Sequence, residues 1–151
     1  MKKTCLIWFF CSIFFAAFSQ NIAGKYSGTQ TVKYHESVKP VVKPQAVVRL
    51  EKAGELYTVI VSDMSFGNIK IKNFTLDSIE TQEPKVKNTT EFIRYKIKDT
   101  LIPQSEENVF IPAQTMLKSG KVVGNKLELE LWVNTGLGLS LVVKFNGNKI
   151  Q

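Results

Sequence analysis

The sequence predicts an all-β domain, an eight-stranded antiparallel up-and-down barrel. Three observations predict it. Apolar and polar residues alternate with period two along most of the chain, and no helical stripe competes. Glycine-containing turn signals separate the alternating runs. The runs number eight, the count at which a closed barrel has room for its own side chains or one small ligand. Closure also removes the exposed edges of a long meander.

The elements follow in order. Tyr26 to Tyr34 is rich in Thr and Tyr, which suit a pleated surface. Ala46–Leu50 and Leu56–Ser62 are β-branched runs. Glu51 to Glu55 between them reads as a tight hairpin turn, with Gly54 at positive φ. Asn68 to Leu76 sets Ile69 and Ile71 against Lys70 and Lys72. It then shifts phase to Phe74 and Leu76, which predicts a bulge near Asn73. Glu91 to Lys98 alternates Ile93, Tyr95 and Ile97 with Arg94, Lys96 and Lys98. Val109 to Leu117 contains Pro112, which favours an edge or a bulge. Lys126 to Val133 puts Leu127, Leu129, Leu131 and Val133 on one face and Glu128 and Glu130 on the other. Leu139, Leu141, Val143 and Phe145 close the set in phase.

An up-and-down meander alternates its connections between two ends. Residues 35–45, 99–108 and 134–138 are expected at one end. Gly24, the 52–55 turn and the 80–90 loop are expected at the other. The first end carries a Val-Lys-Pro repeat between Val38 and Pro44. That spacing favours an extended, stiff segment, readable as a lid over an open mouth or as a plain spacer.

The N-terminus is organised differently. Lys2 and Lys3 precede an uncharged apolar run from Thr4 to Phe18, and small residues Ala16, Ala17 and Ser19 follow. This is the order of a secretory signal peptide, with cleavage expected after Ser19. The run is shorter than the ~20 residues of a spanning helix. Cys11 follows the bulky Trp8-Phe9-Phe10, which disfavours a lipid-attachment site. The expected organisation is a leader, 1–19, and one barrel domain, 20–151, with no transmembrane segment after cleavage. Export to the periplasm or the cell exterior follows. Both cysteines leave with the leader, so the mature chain has no disulfide and no thiolate chemistry.

Loss of Lys2 and Lys3 lowers the net charge from +7 to +5. The remaining lysines are scattered, as on a solvated surface. No aromatic–basic cluster marks a nucleic-acid partner. Nothing sets the oligomeric state.

Asn21-Ile-Ala-Gly-Lys-Tyr-Ser-Gly-Thr29 opens the mature chain. A Val-rich hairpin follows, then Phe66 to Phe74, then Ser119 to Leu131. These segments resemble the calycin-like β-barrel proteins secreted by Gram-negative bacteria, relatives by fold of lipocalins. The resemblance covers nearly all of the mature chain. It implies a barrel and lipocalin-type binding of a small apolar molecule, by analogy of fold. Gly24-Lys25-Tyr26 stands where lipocalins have Gly-x-Trp. In lipocalins that aromatic plugs the closed end beneath a basic residue of the last strand. Here the last strand offers Lys144 and no Arg.

Catalytic and metal chemistry find little support. His35 is the single histidine, too few for a His-based zinc site or a Ser/His/Asp arrangement. Gly136-Leu-Gly138 opens no helix, so it reads as a turn with close backbone packing. Glu128 and Glu130 share a face opposite aliphatics, as on a solvated outer surface; Asp63, Asp77, Glu80 and Glu91 are dispersed. No catalytic residue, metal ligand or cofactor is assigned. Asp77-Ser78-Ile79 and Asp99-Thr100-Leu101 resemble the Asp-Ser/Thr-aliphatic acceptor of a bacterial periplasmic O-glycosylation system, with Ser78 and Thr100 as acceptors. Asn73-Phe-Thr and Asn88-Thr-Thr carry little weight in a bacterial protein.

The apolar faces read as packed core or as a pocket lining. Candidate liners are Tyr34, Val48, Leu50, Val59, Val61, Ile71, Tyr95, Leu129, Leu131, Leu141 and Val143. The first functional expectation is a non-enzymatic protein whose barrel holds a small apolar or amphipathic molecule. The alternative is a filled barrel whose surface binds a glycan or a partner protein. An enzyme comes third.

Overall fold

A computed structural model describes residues 20–34, 39–66, 69–82, 85–92, 98–103, 110–135 and 138–151. The expected leader at 1–19, His35, Tyr95 and Gly136 lie outside these residues.

Eleven strands trace the eight passes of the meander. The first two passes are β1 (Gly24–Tyr34) and β2 (Val41–Ala53). The third is β3 (Leu56–Val61), continued by β4 (Met64–Phe66). The fourth is β5 (Ile69–Ile71) and β6 (Phe74–Ile79). The fifth contains β7 (Thr89–Glu91) and β8 (Lys98–Pro103). β9 (Phe110–Val123), β10 (Lys126–Thr135) and β11 (Leu139–Lys149) complete it. Hydrogen-bonded neighbours run β6-β3-β2-β1-β11-β10-β9-β7, with β8 also on β9 and β4 paired to β5.

First and last passes meet along β1 and β11, from Tyr26 opposite Lys149 to Tyr34 opposite Leu141. Glycines make that approach possible. A Cβ at Gly28 would run into the Asn146 carbonyl oxygen and Gly147 Cα. The ends of the sheet are joined by a Thr81–Phe92 bridge and by the Gln82 N–H, which donates to the Glu91 carbonyl at 2.8 Å.

Two-residue turns at Gly54-Glu55 and Gly124-Asn125 place a positive-φ glycine (64° and 57°) first, the position a type II′ turn reserves for it. The chain breaks at Lys72-Asn73, where the alternation shifts phase. Pro112 pairs with Leu101 of β8, while the β10 register ends at Ala113, so one side of the proline is an edge.

Three expectations change. Residues 41–43 are strand, paired with Val32 to Gln30, and are neither lid nor loose spacer. Residues 99–103 are strand β8, because Asp99 to Pro103 register with Gln114 to Phe110. Gly138 makes a turn, donating to the Thr135 carbonyl, but open space surrounds the position of its missing side chain, so close packing does not explain it.

Alternation carries the interior. Leu127, Leu129, Leu131 and Val133 are 0–4 % exposed and join the aliphatics of β1, β2, β3, β6 and β11 in one cluster. At ~25 cal/mol per Å², each buried leucine contributes about 2 kcal/mol. Tyr26 closes the end near the chain start, its hydroxyl donating to the Ile22 carbonyl at 2.6 Å. Its registered neighbour is Lys149, whose ammonium goes to the Asn21 carbonyl at 2.9 Å. Lys144 does not cover it: that side chain is on the outer face, against Glu130. Phe92 fills the same end, edge-on to Tyr57 at 6.1 Å and over Gly120.

Candidate functional site

The predicted liners come together, but with each other. Val48, Leu50, Val59, Val61, Ile71, Leu129, Leu131, Leu141 and Val143 are at most 4 % exposed and belong to the single core cluster. Tyr34 packs against its rim. Tyr95 lies outside the described residues. Among the described residues these side chains pack against one another in a single core cluster.

One interior residue does not fit. Gln30 is 1 % exposed, in phase with Val32 and opposite Phe145, and neither polar atom of its amide has a hydrogen-bond partner. An unsatisfied buried polar group of this kind costs about 1–3 kcal/mol. The other buried polar side chains, Thr115 and Thr135, do have partners.

The concavity is on the outside. A groove of about 740 Å³ lies along the outward side chains of β1, β11, β10 and β9, and its lining also reaches Gly120 and Phe92, Leu129 and Phe145, three residues whose side chains belong to the inward face. Thr29, Thr31, Lys144 and Asn146 form one flank. Glu128 and Glu130 form the floor. Lys118, Ser119 and Lys121 follow, and Gln82 and Glu91 make the far wall. Two register slips lie beside it. The β1–β2 register slips between Gly28 and Gln30. The β10–β9 register slips between Glu130 and Leu131, leaving Lys118 as the extra residue. The second slip sets Lys118 and Ser119 side by side in the lining.

Each floor carboxylate sits between two ammonium groups. Glu130 meets Lys118 and Lys144, both at 3.4 Å. Glu128 meets Lys126 at 2.8 Å and Lys121 at 3.1 Å. Hydrogen bonds from Lys126 and Lys121 hold the Glu128 carboxyl below its usual range. Exposed pairs of this kind add only ~0–1 kcal/mol to stability; their effect is to fix where the charges lie.

Next to the groove stands Trp132. It is the outward residue after Glu130 on β10, registered with Met116 of β9 and Val142 of β11, and half-buried. Its indole N–H donates to Ser140 Oγ at 2.9 Å. Sequence reading passed over it, although a large aromatic in phase with Glu128 and Glu130 was the available signal.

The two modification candidates differ. Ser78 is exposed on a β3–β6 bulge, at φ 58°. Thr100 is in β8, paired with Ala113.

The family described as calycin-like beta-barrel domain matches residues 22–148. A crystal structure of a candidate outer membrane protein from Bacteroides fragilis NCTC 9343 aligns with a TM-score of 0.62 at 12 % identity. The alignment covers 84 % of this chain and 50 % of that one, so this chain spans about half of that protein's length. At that identity the likeness is one of fold. No curated protein matches.

Proposed function

The chain belongs to the calycin-like β-barrel family, and from that premise we propose that it is an exported, non-enzymatic binding protein that works through its outer face. The observation that carries this reading is the contrast between a packed core among the described residues and a groove of about 740 Å³ lined mostly by outward side chains. That volume falls in the ~300–1,000 Å³ range of ligand sites. A barrel that spans a membrane turns an apolar band outward. This one presents Lys118, Lys121, Glu128, Glu130 and Lys144, which supports a barrel bathed in water. The order of charge, apolar run and small residues over 1–19 supports export to the periplasm or the cell exterior.

A second reading rests on Gln30. A small amphipathic molecule inside the barrel, among the apolar liners, would supply the partner its amide lacks.

Native mass spectrometry of protein purified from its own host separates the two. The outer-face reading expects the bare mass of residues 20–151. An excess that disappears on organic extraction would replace it with the interior reading. An excess that survives denaturation marks covalent modification, with the exposed Ser78 the first residue to map.

A further inference from the structure

We propose that the outer face of β9, β10 and β11 is a site for a neutral oligosaccharide, with Trp132 as the stacking platform; this rests on the outer-face reading above. Three observations lead there.

The first is the aromatic. Trp132 and Glu130 are successive outward residues of one strand, roughly 7 Å apart. Met116 and Val142 flank the indole by register. The bond to Ser140 fixes the ring in place. A sugar ring has an apolar face of C–H groups that suits the negative face of an aromatic ring.

The second is the polar lining. Thr29, Thr31 and Ser119 offer hydroxyls, and Asn146 and Gln82 offer amides. These groups both donate and accept, as sugar hydroxyls do. Glu128 and Glu130 add acceptors fixed by their lysines. Hydrogen bonds to ionised groups are about twice as strong as neutral ones.

The third is charge. An anionic polymer would meet Glu91, Glu128 and Glu130. A cationic one would meet Lys118, Lys121 and Lys144. A neutral glycan gains from both signs, because its hydroxyls donate to one and accept from the other.

The test uses a reporter the protein already has. The chain contains two tryptophans, Trp8 and Trp132, and only Trp132 remains once the leader is gone. Its emission therefore reports on this face alone. The mature protein would be titrated with cellohexaose, xylohexaose, mannohexaose and maltohexaose, following emission and binding heat. At least one hexaose is expected to shift the emission. Trp132→Ala should weaken its binding at least tenfold by calorimetry. Trp132→Phe, which keeps a ring, should stay within about threefold. Glu130→Gln should weaken it several-fold. Equal thermal midpoints for the variants would separate binding from folding. Unchanged binding in Trp132→Ala overturns the inference. If no hexaose binds while the native mass is that of the bare chain, the oligosaccharide inference falls, and the outer-face reading stands for a protein partner. An extractable interior ligand would bring down the outer-face reading itself.

Discussion

The two faces of β10 do different work. Inward, the Leu127, Leu129, Leu131 and Val133 side chains are buried. Outward, Lys126, Glu128, Glu130, Trp132 and Asn134 stay partly exposed, with the glutamates in ion pairs. The inner face supplies stability, about 2 kcal/mol per leucine. The outer pairs contribute almost none. One strand can thus be altered for binding without being altered for folding, provided the change respects the alternation.

The largest test of this separation is at the closure. Gly28→Val puts atoms where the Asn146 carbonyl and Gly147 Cα already are, so β1 and β11 must part. A loss of several kcal/mol is expected, a large share of the ~5–15 kcal/mol that stabilises a domain. Urea unfolding measures it, and an unchanged midpoint would mean that the first and last passes do not close as described.

Next comes the inward face. Leu131→Ala should cost about 2–5 kcal/mol through lost burial and a cavity. The urea midpoint should fall while hexaose affinity, measured well below that midpoint, stays constant. A parallel loss of affinity would break the separation of faces.

Most of this fold was legible because alternation is a direct record of facing. Leu127 to Val133 needed no structure to be assigned inward. The break at Lys72-Asn73 was readable from a shift of phase. Residues 41–43 and 99–103 were not, because pairing depends on the partner strand: Val41 and Val42 are 44 % and 56 % exposed, so burial left no pattern to read. The site was less legible for a related reason. The groove is lined by side chains of β1, β9, β10 and β11 that only strand pairing brings side by side, and pairing belongs to two strands rather than to either sequence.

Tyr26→Phe sharpens the inner side of the comparison at about 1 kcal/mol. It deletes the hydroxyl that donates to the Ile22 carbonyl and leaves that acceptor without it. It should also change the alkaline limb. Burial first, and the nearby Tyr57 second, push the Tyr26 phenol up to about 12 from its ordinary 10. The unfolded chain therefore releases this proton earlier than the folded one. Ionising the buried phenol thus costs the fold on the order of 2 kcal/mol, a loss that is absent below pH 10 and accumulates as pH rises toward 12. Stability of Tyr26→Phe should fall less steeply over that window, as thermal midpoints at pH 9, 10 and 11 would show. Equal slopes would mean that the phenol titrates like an exposed one.

The smallest expected effect has the opposite sign. Among the described residues Gln30 is a strand side chain with both polar atoms buried and without partners. Gln30→Met keeps length and flexibility and removes both polar atoms. If the interior is only a core, the substitution relieves desolvation at no cost in contacts, and the urea midpoint should rise by the equivalent of about 1 kcal/mol. Hexaose binding at Trp132 should not move, because Gln30 faces the other side of the sheet. If instead the amide meets a bound amphiphile in the cell, native protein carrying Gln30→Met should lose extractable mass that the unaltered protein carries. Stability and mass are read on the same preparation, so a gain in midpoint with no change in mass assigns Gln30 to the core and leaves the outer face as the binding surface.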